Sequence, residues 1–142
     1  ALKKLSELDP NSKESFAGIA VLYQKQNQLT NSRTYINKAM AIDPDWDYPL
    51  YLEGQLYESA VRNCGGKIEF IDKCVYQLAY ETYSRARSKN GQYAQASAER
   101  MGSIRSLIPQ QEDYFFRNIK PGTAVKIQGK CYDWIGKTIT VQ

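Results

Sequence analysis

The thiols of Cys64, Cys74 and Cys131 are the side chains of this chain best suited to redox or metal chemistry. A thiolate can attack an electrophile, bind a soft metal or oxidise to a disulfide. The chain has no histidine at all, so the commonest general base and the commonest metal ligand are both missing. The cysteines form no C-x-x-C pair, and three thiols without histidine make a poor zinc site. An odd count leaves one disulfide with a third thiol, or three thiols. No Ser–His or Cys–His nucleophile pair can exist.

Two other clusters invite chemistry and read better as structure. Asp43, Asp45 and Asp47 alternate around Pro44 and Trp46, but they lack the glycine and distal glutamate of an EF-hand loop. The simpler reading gives Asp43 to a turn and Asp45 or Asp47 to capping the next helix. Asn63-Cys64-Gly65-Gly66-Lys67 is faintly like a phosphate loop, without the G-x-x-x-x-G-K-[ST] spacing or a preceding strand. Tyr76, Tyr80 and Tyr83 fall on one helical stripe, which favours packing over ligand stacking. These residues predict no catalytic centre, no cofactor and no metal.

The 19 basic and 15 acidic residues leave a net charge of +4, spread along the chain. Nucleic-acid binding calls for a concentrated stripe and is not expected. No stretch approaches the roughly 18 uninterrupted apolar residues of a transmembrane helix.

The elements that position these residues follow from an internal repeat. Shifting the sequence by 34 residues lays Leu8-Asp9-Pro10 on Ile42-Asp43-Pro44, Lys4 on Lys38, Leu22 on Leu56 and Tyr23 on Tyr57. Residues 13–46 then read as one complete helix-turn-helix unit. Phe16, Ile19, Ala20 and Tyr23 take first-helix positions, Ser32, Ile36 and Ala39 second-helix positions, and Pro44 closes it. Large residues would fill the space between the helices, while Ala20 and Ala39 allow close approach. Period and pattern resemble the tetratricopeptide repeat (TPR), a solenoid of antiparallel helix pairs.

A second unit covers residues 47–92, with Gly54 and Tyr57 on its first helix and Ala79, Tyr83 and Ala86 on its second. Glu53 stands where the pattern has leucine. Tyr57 and Ala79 are 22 positions apart where Tyr23 and Ser32 are 9 apart, which implies an insertion of 13 residues, around 58–74. Residues 93–109 read as a capping helix with an apolar set of Ala94, Ala98, Met101, Ile104 and Ile108, although Ser97 and Arg100 stand where large apolar residues belong. Residues 1–12, with Leu2, Leu5 and Leu8 on one face, read as the end of a preceding repeat, which implies further repeats before Ala1. Residues 110–142 read as a tail. Strands at Ala124–Gln128 and Lys137–Gln142 would form a β-hairpin, fixed to the last helices by Tyr114-Phe115-Phe116.

The expected fold is thus mostly α: about five helices plus a partial N-terminal one, closed by a small C-terminal β-hairpin. Cys64 and Cys74 flank the insertion, where the two long helices face each other. Their disulfide, worth about 2–3 kcal/mol in the chain-entropy model, stands against two separate thiols, with Cys131 a small apolar residue of the tail.

The insertion with its cysteines, Lys73-Cys74-Val75-Tyr76-Gln77-Leu78-Ala79, Pro109, Glu112-Asp113-Tyr114-Phe115-Phe116 and the Trp-Ile-bearing hairpin resemble the C-terminal region of a group of TPR proteins from Bacteroidetes, over roughly residues 45–142. This resemblance implies a bacterial source, an envelope location and no enzymatic activity.

The function expected is a scaffold that binds a protein or peptide partner in the concave face. Inward positions are Glu14, Ala17, Val21 and Gln24 in the first unit, and Tyr48, Tyr51, Gln55 and Glu58 in the second. TPR domains that clamp a chaperone's terminal carboxylate have Lys and Asn at the positions of Ala17 and Val21, so that ligand is not expected here. The alternative is an assembly module whose hairpin mediates self-association, giving a homo-oligomer, or docks to upstream repeats.

Overall fold

The structure, a computed structural model, describes residues 10–142; the expected helical end at Leu2, Leu5 and Leu8 lies outside the described residues. The described chain is mostly helical, with six helices and a small two-stranded sheet at its C-terminal end. In order these are α1 (Lys13–Lys25), α2 (Leu29–Ile42), α3 (Tyr48–Cys64), α4 (Phe70–Ser88), α5 (Ala94–Ile104), a 3-10 turn (Arg105–Leu107), α6 (Gln111–Phe116), β1 (Ala124–Lys126) and β2 (Thr138–Thr140).

Local signals set the helix ends. Ser12 caps α1, its hydroxyl accepting from the Ser15 N–H at 3.0 Å. Capping boxes open α4 through Glu69 and Asp72 and α6 through Gln110 and Asp113. Asparagines stand at the left-handed positions that follow three helices: Asn27, Asn90 and Asn118, with φ of 59°, 55° and 57°. Asparagine tolerates this conformation better than other residues with a Cβ.

Helices α1 and α2 are antiparallel. Ser32, early in α2, donates to the Ala20 carbonyl at 2.7 Å, while Lys13 at the start of α1 pairs with Asp43 just past α2 at 2.6 Å. Helices α3 and α4 also pack together, and the Tyr83 ring of α4 lies directly against Gly54 of α3. A Cβ there would lie 2.5 Å from the Tyr83 ring, so only glycine admits the ring. The second helix pair is the longer one: α3 and α4 have 17 and 19 residues, against 13 and 14 in α1 and α2.

Ala20, Ala39, Gly54, Tyr57, Ala79, Tyr83 and Ala86 are all buried. Phe16, Ile19 and Tyr23 are only half-buried; Phe16 and Tyr23 pack on Tyr35 of α2, outside the cluster shared with α3. Pro44 is exposed in the turn after α2.

The strands pair antiparallel, with Val125 opposite Ile139. They are shorter than the alternation predicts, three residues each. Ile127 and Ile139 join the core of α3, α4 and α5. The aromatic cluster behaves differently from its expected role as adhesive. Tyr114 alone is buried, and Phe115 and Phe116 face outward. They do so because residues 111–116 are helical, which sends adjacent side chains in different directions.

Candidate partner-binding groove

Seven of the eight expected groove residues line two cavities, and the eighth, Tyr51, touches a wall residue of each. Glu14, Ala17, Val21 and Tyr48 face a space of about 490 Å³, together with Trp46 and Tyr93. Gln24, Gln55 and Glu58 face a second, of about 330 Å³, with Arg62 and Arg100. Tyr51 joins the two: its ring centroid is 5.1 Å from that of Tyr93, and its hydroxyl accepts from Gln55 Nε2 at 3.2 Å.

The first cavity has an aromatic wall. Tyr48 and Tyr93 stack at 4.5 Å, and Trp46 tilts against Tyr48 at 5.6 Å. Lys13 covers one face of Trp46, 4.7 Å from its centroid. Tyr93 is brought here by Asp47, which corrects the expected cap. Asp47 makes no side-chain cap on α3; its buried carboxylate accepts from the Tyr93 N–H at 2.7 Å, at the start of α5. Asp45 lies out in solvent, 3.9 Å from Lys89.

The second cavity is polar. Glu58 forms its floor, being only 4 % exposed, and is already fully engaged. It accepts from the Tyr83 hydroxyl at 2.6 Å and from two nitrogens of Arg100, at 3.1 and 2.5 Å, with Arg62 4.0 Å away. One carboxylate thus faces two guanidiniums, and the cavity keeps an excess positive charge. Burial, then the Glu58 carboxylate, pushes the Tyr83 hydroxyl far above the phenol range. The hydrogen bond to Glu58 raises Arg100 further. Burial and the adjacent Tyr93 and Tyr51 raise Tyr48. Each shift carries its group away from neutral pH, the opposite of a poised acid or base.

Sequence reasoning missed Arg62, Tyr93 and Arg100. Arg100 had a usable signal, a charge where the repeat pattern calls for an apolar residue. Tyr93 had none, because it precedes α5 and enters only through Asp47.

The cysteines pair otherwise than expected. The disulfide joins Cys64 to Cys131, with Cα atoms 5.7 Å apart, and Cys74 keeps its thiol. Cys74 faces the core from the second turn of α4, fully buried, and burial pushes its thiol up to about 12. Cys64 ends α3 half-buried against the core, where the tail brings the exposed Cys131. That approach depends on Asp72, a fully buried carboxylate that receives Lys130 at 2.5 Å and the Tyr132 hydroxyl. The glycine-rich loop at Gly65 and Gly66 turns the chain between α3 and α4.

Among the described residues, no cluster of metal-ligating side chains occurs and no helix is long and apolar enough to cross a membrane. No protein-family model, no curated protein and no solved structure matches the chain.

Proposed function

We propose that the chain is a TPR-type helical scaffold, without catalytic activity, that holds a partner peptide along its inner groove. The supporting observation is the join at Tyr51 between an aromatic cavity and a cavity with excess guanidinium charge. Such a surface suits a peptide that lays an apolar side chain on Tyr48 and Tyr93 and presents a carboxylate to Arg62 and Arg100. The repeat spacing supports the architecture, since small residues recur 34 apart at Ala20 and Gly54, both at tight helix crossings. A disulfide suits an oxidising compartment such as a bacterial envelope. The hairpin as a self-association element draws less support, because Ile127 and Ile139 are spent on the protein's own core.

Panning a displayed peptide library on the immobilised protein tests this. The expected ligands combine an aromatic or aliphatic residue with an acidic one, and bind Tyr48→Ala/Tyr51→Ala at least about tenfold more weakly. Selected peptides that bind wild type and double variant equally would remove the groove from consideration.

A further inference from the structure

Phe115 and Phe116 are the most exposed large apolar side chains among the described residues, at 79 % and 80 %. Isolated apolar residues at a surface are ordinary, whereas adjacent rings on one fixed element mark an interaction site. Their helix is held from behind. The Tyr114 hydroxyl donates to Gln77 Oε1 at 2.7 Å, and its ring meets Phe70 edge-on. Asp113 pairs with Lys73 of α4 at 2.7 Å. The two phenylalanine rings contact each other at 5.9 Å and project from this anchored base.

The backbone at the tip is closed on itself. Asn118, at φ 57°, donates its N–H to the Phe115 carbonyl at 3.0 Å, and the Ile119 N–H reaches the Tyr114 carbonyl at 3.0 Å. Backbone groups paired in this way do not oppose entry into an apolar interface. The local charge is positive. Arg117 is held over the Phe70 ring at 4.3 Å and Lys120 is exposed nearby. Of the acids on α6, Asp113 is already neutralised by Lys73, which leaves Glu112.

We propose that this tip is a peripheral membrane anchor: Phe115 and Phe116 enter the headgroup region of an anionic bilayer while Arg117 and Lys120 meet lipid phosphates. Aromatic rings flanked by long basic side chains suit the boundary between apolar chains and charged headgroups. Protruding rings suit a soft, deformable surface. A second copy of this chain is the poorer occupant, because a two-fold contact at these rings would bring two tips of the same net positive charge together.

Co-sedimentation with phosphatidylcholine vesicles, with and without phosphatidylglycerol, tests the proposal. The protein should bind the anionic vesicles, and less at high salt. Phe115→Ser/Phe116→Ser should weaken binding on the order of a hundredfold. Its circular dichroism and thermal midpoint should be unchanged, because both rings are exposed. Arg117→Gln/Lys120→Gln should weaken binding and flatten its salt dependence. Wild type that ignores both vesicle types, or binds them equally, overturns the proposal, as does a phenylalanine variant that binds normally. A dimer seen by light scattering, dissociated by Phe115→Ser/Phe116→Ser and indifferent to vesicles, would overturn it in favour of self-association.

Discussion

Arg33 and Trp134 stand 101 residues apart in sequence, yet the Arg33 guanidinium donates to the Trp134 carbonyl at 2.9 Å and lies 5.3 Å from its indole. A second bond reaches the Ile135 carbonyl. The tail therefore returns to the first helix pair as well as covering the second. Arg33→Ala should cost about 2 kcal/mol, from two charge-assisted hydrogen bonds and a cation–π contact. Urea denaturation measures this, and an unchanged midpoint would show that the contact adds nothing.

The disulfide should contribute more. Cys64 and Cys131 are separated by 67 residues, and closing a loop of that length stabilises the fold by about 4 kcal/mol in the chain-entropy model. Cys64→Ser should lower the thermal midpoint by roughly 10 °C or more. Cys74→Ser should leave the bond intact. Labelling of native protein should find no reactive thiol, and labelling after denaturation should find one, that of Cys74. Three thiols in the denatured, unreduced protein, or a single one that maps to Cys64 or Cys131, would contradict the pairing.

Asp72 makes the tail's attachment sensitive to acid. Burial alone would raise its carboxyl, but Lys130, the Tyr132 hydroxyl and the Glu69 N–H together reverse this and hold it below its ordinary 3.8. A carboxyl lowered in the folded state stabilises fully above its unfolded value, and loses that contribution as pH falls through the folded value. Asp72→Asn should therefore cost about 3 kcal/mol near neutral pH, by stranding a buried network. The gap between variant and wild type should hold down to about pH 5 and close below pH 4. Urea titrations at several pH values read it directly; a gap that widened on acidification would refute the assignment.

The helical character of this chain and its small C-terminal strand pair were legible in the sequence, and the contacts made across the chain were not. Ala20, Gly54 and Tyr83 could be placed on buried helix faces by spacing, because helical periodicity is a local signal. Glu53 looked like a defect in the pattern; in the structure it accepts from the Tyr57 hydroxyl at 2.5 Å, a pairing that no hydrophobic period can report. Sequence offers Cys64 either Cys74 or no partner, since nothing local announces that Lys130 and Tyr132 meet Asp72 some 60 residues away. The groove followed the same division. Its expected α1 and α3 residues were read from helical spacing, whereas Arg62 and Arg100 fell outside that reading.

Those arginines give the last prediction. Arg62 is 61 % exposed and contacts Glu58 only at 4.0 Å, whereas Arg100 is clamped to it at 2.5 Å. The two should separate binding from stability. Arg62→Gln should leave stability within about 0.5 kcal/mol, as surface substitutions do. It should also weaken an acidic groove ligand on the order of tenfold and lessen the salt dependence of its affinity. Arg100→Gln should weaken the same ligand and cost about 3 kcal/mol of stability as well, because it strands the buried Glu58 carboxylate. Calorimetric titration of one acidic peptide, with a denaturation curve for each variant, resolves the two effects. Equal affinity of that peptide for wild type and Arg62→Gln would show that the carboxylate is recognised elsewhere.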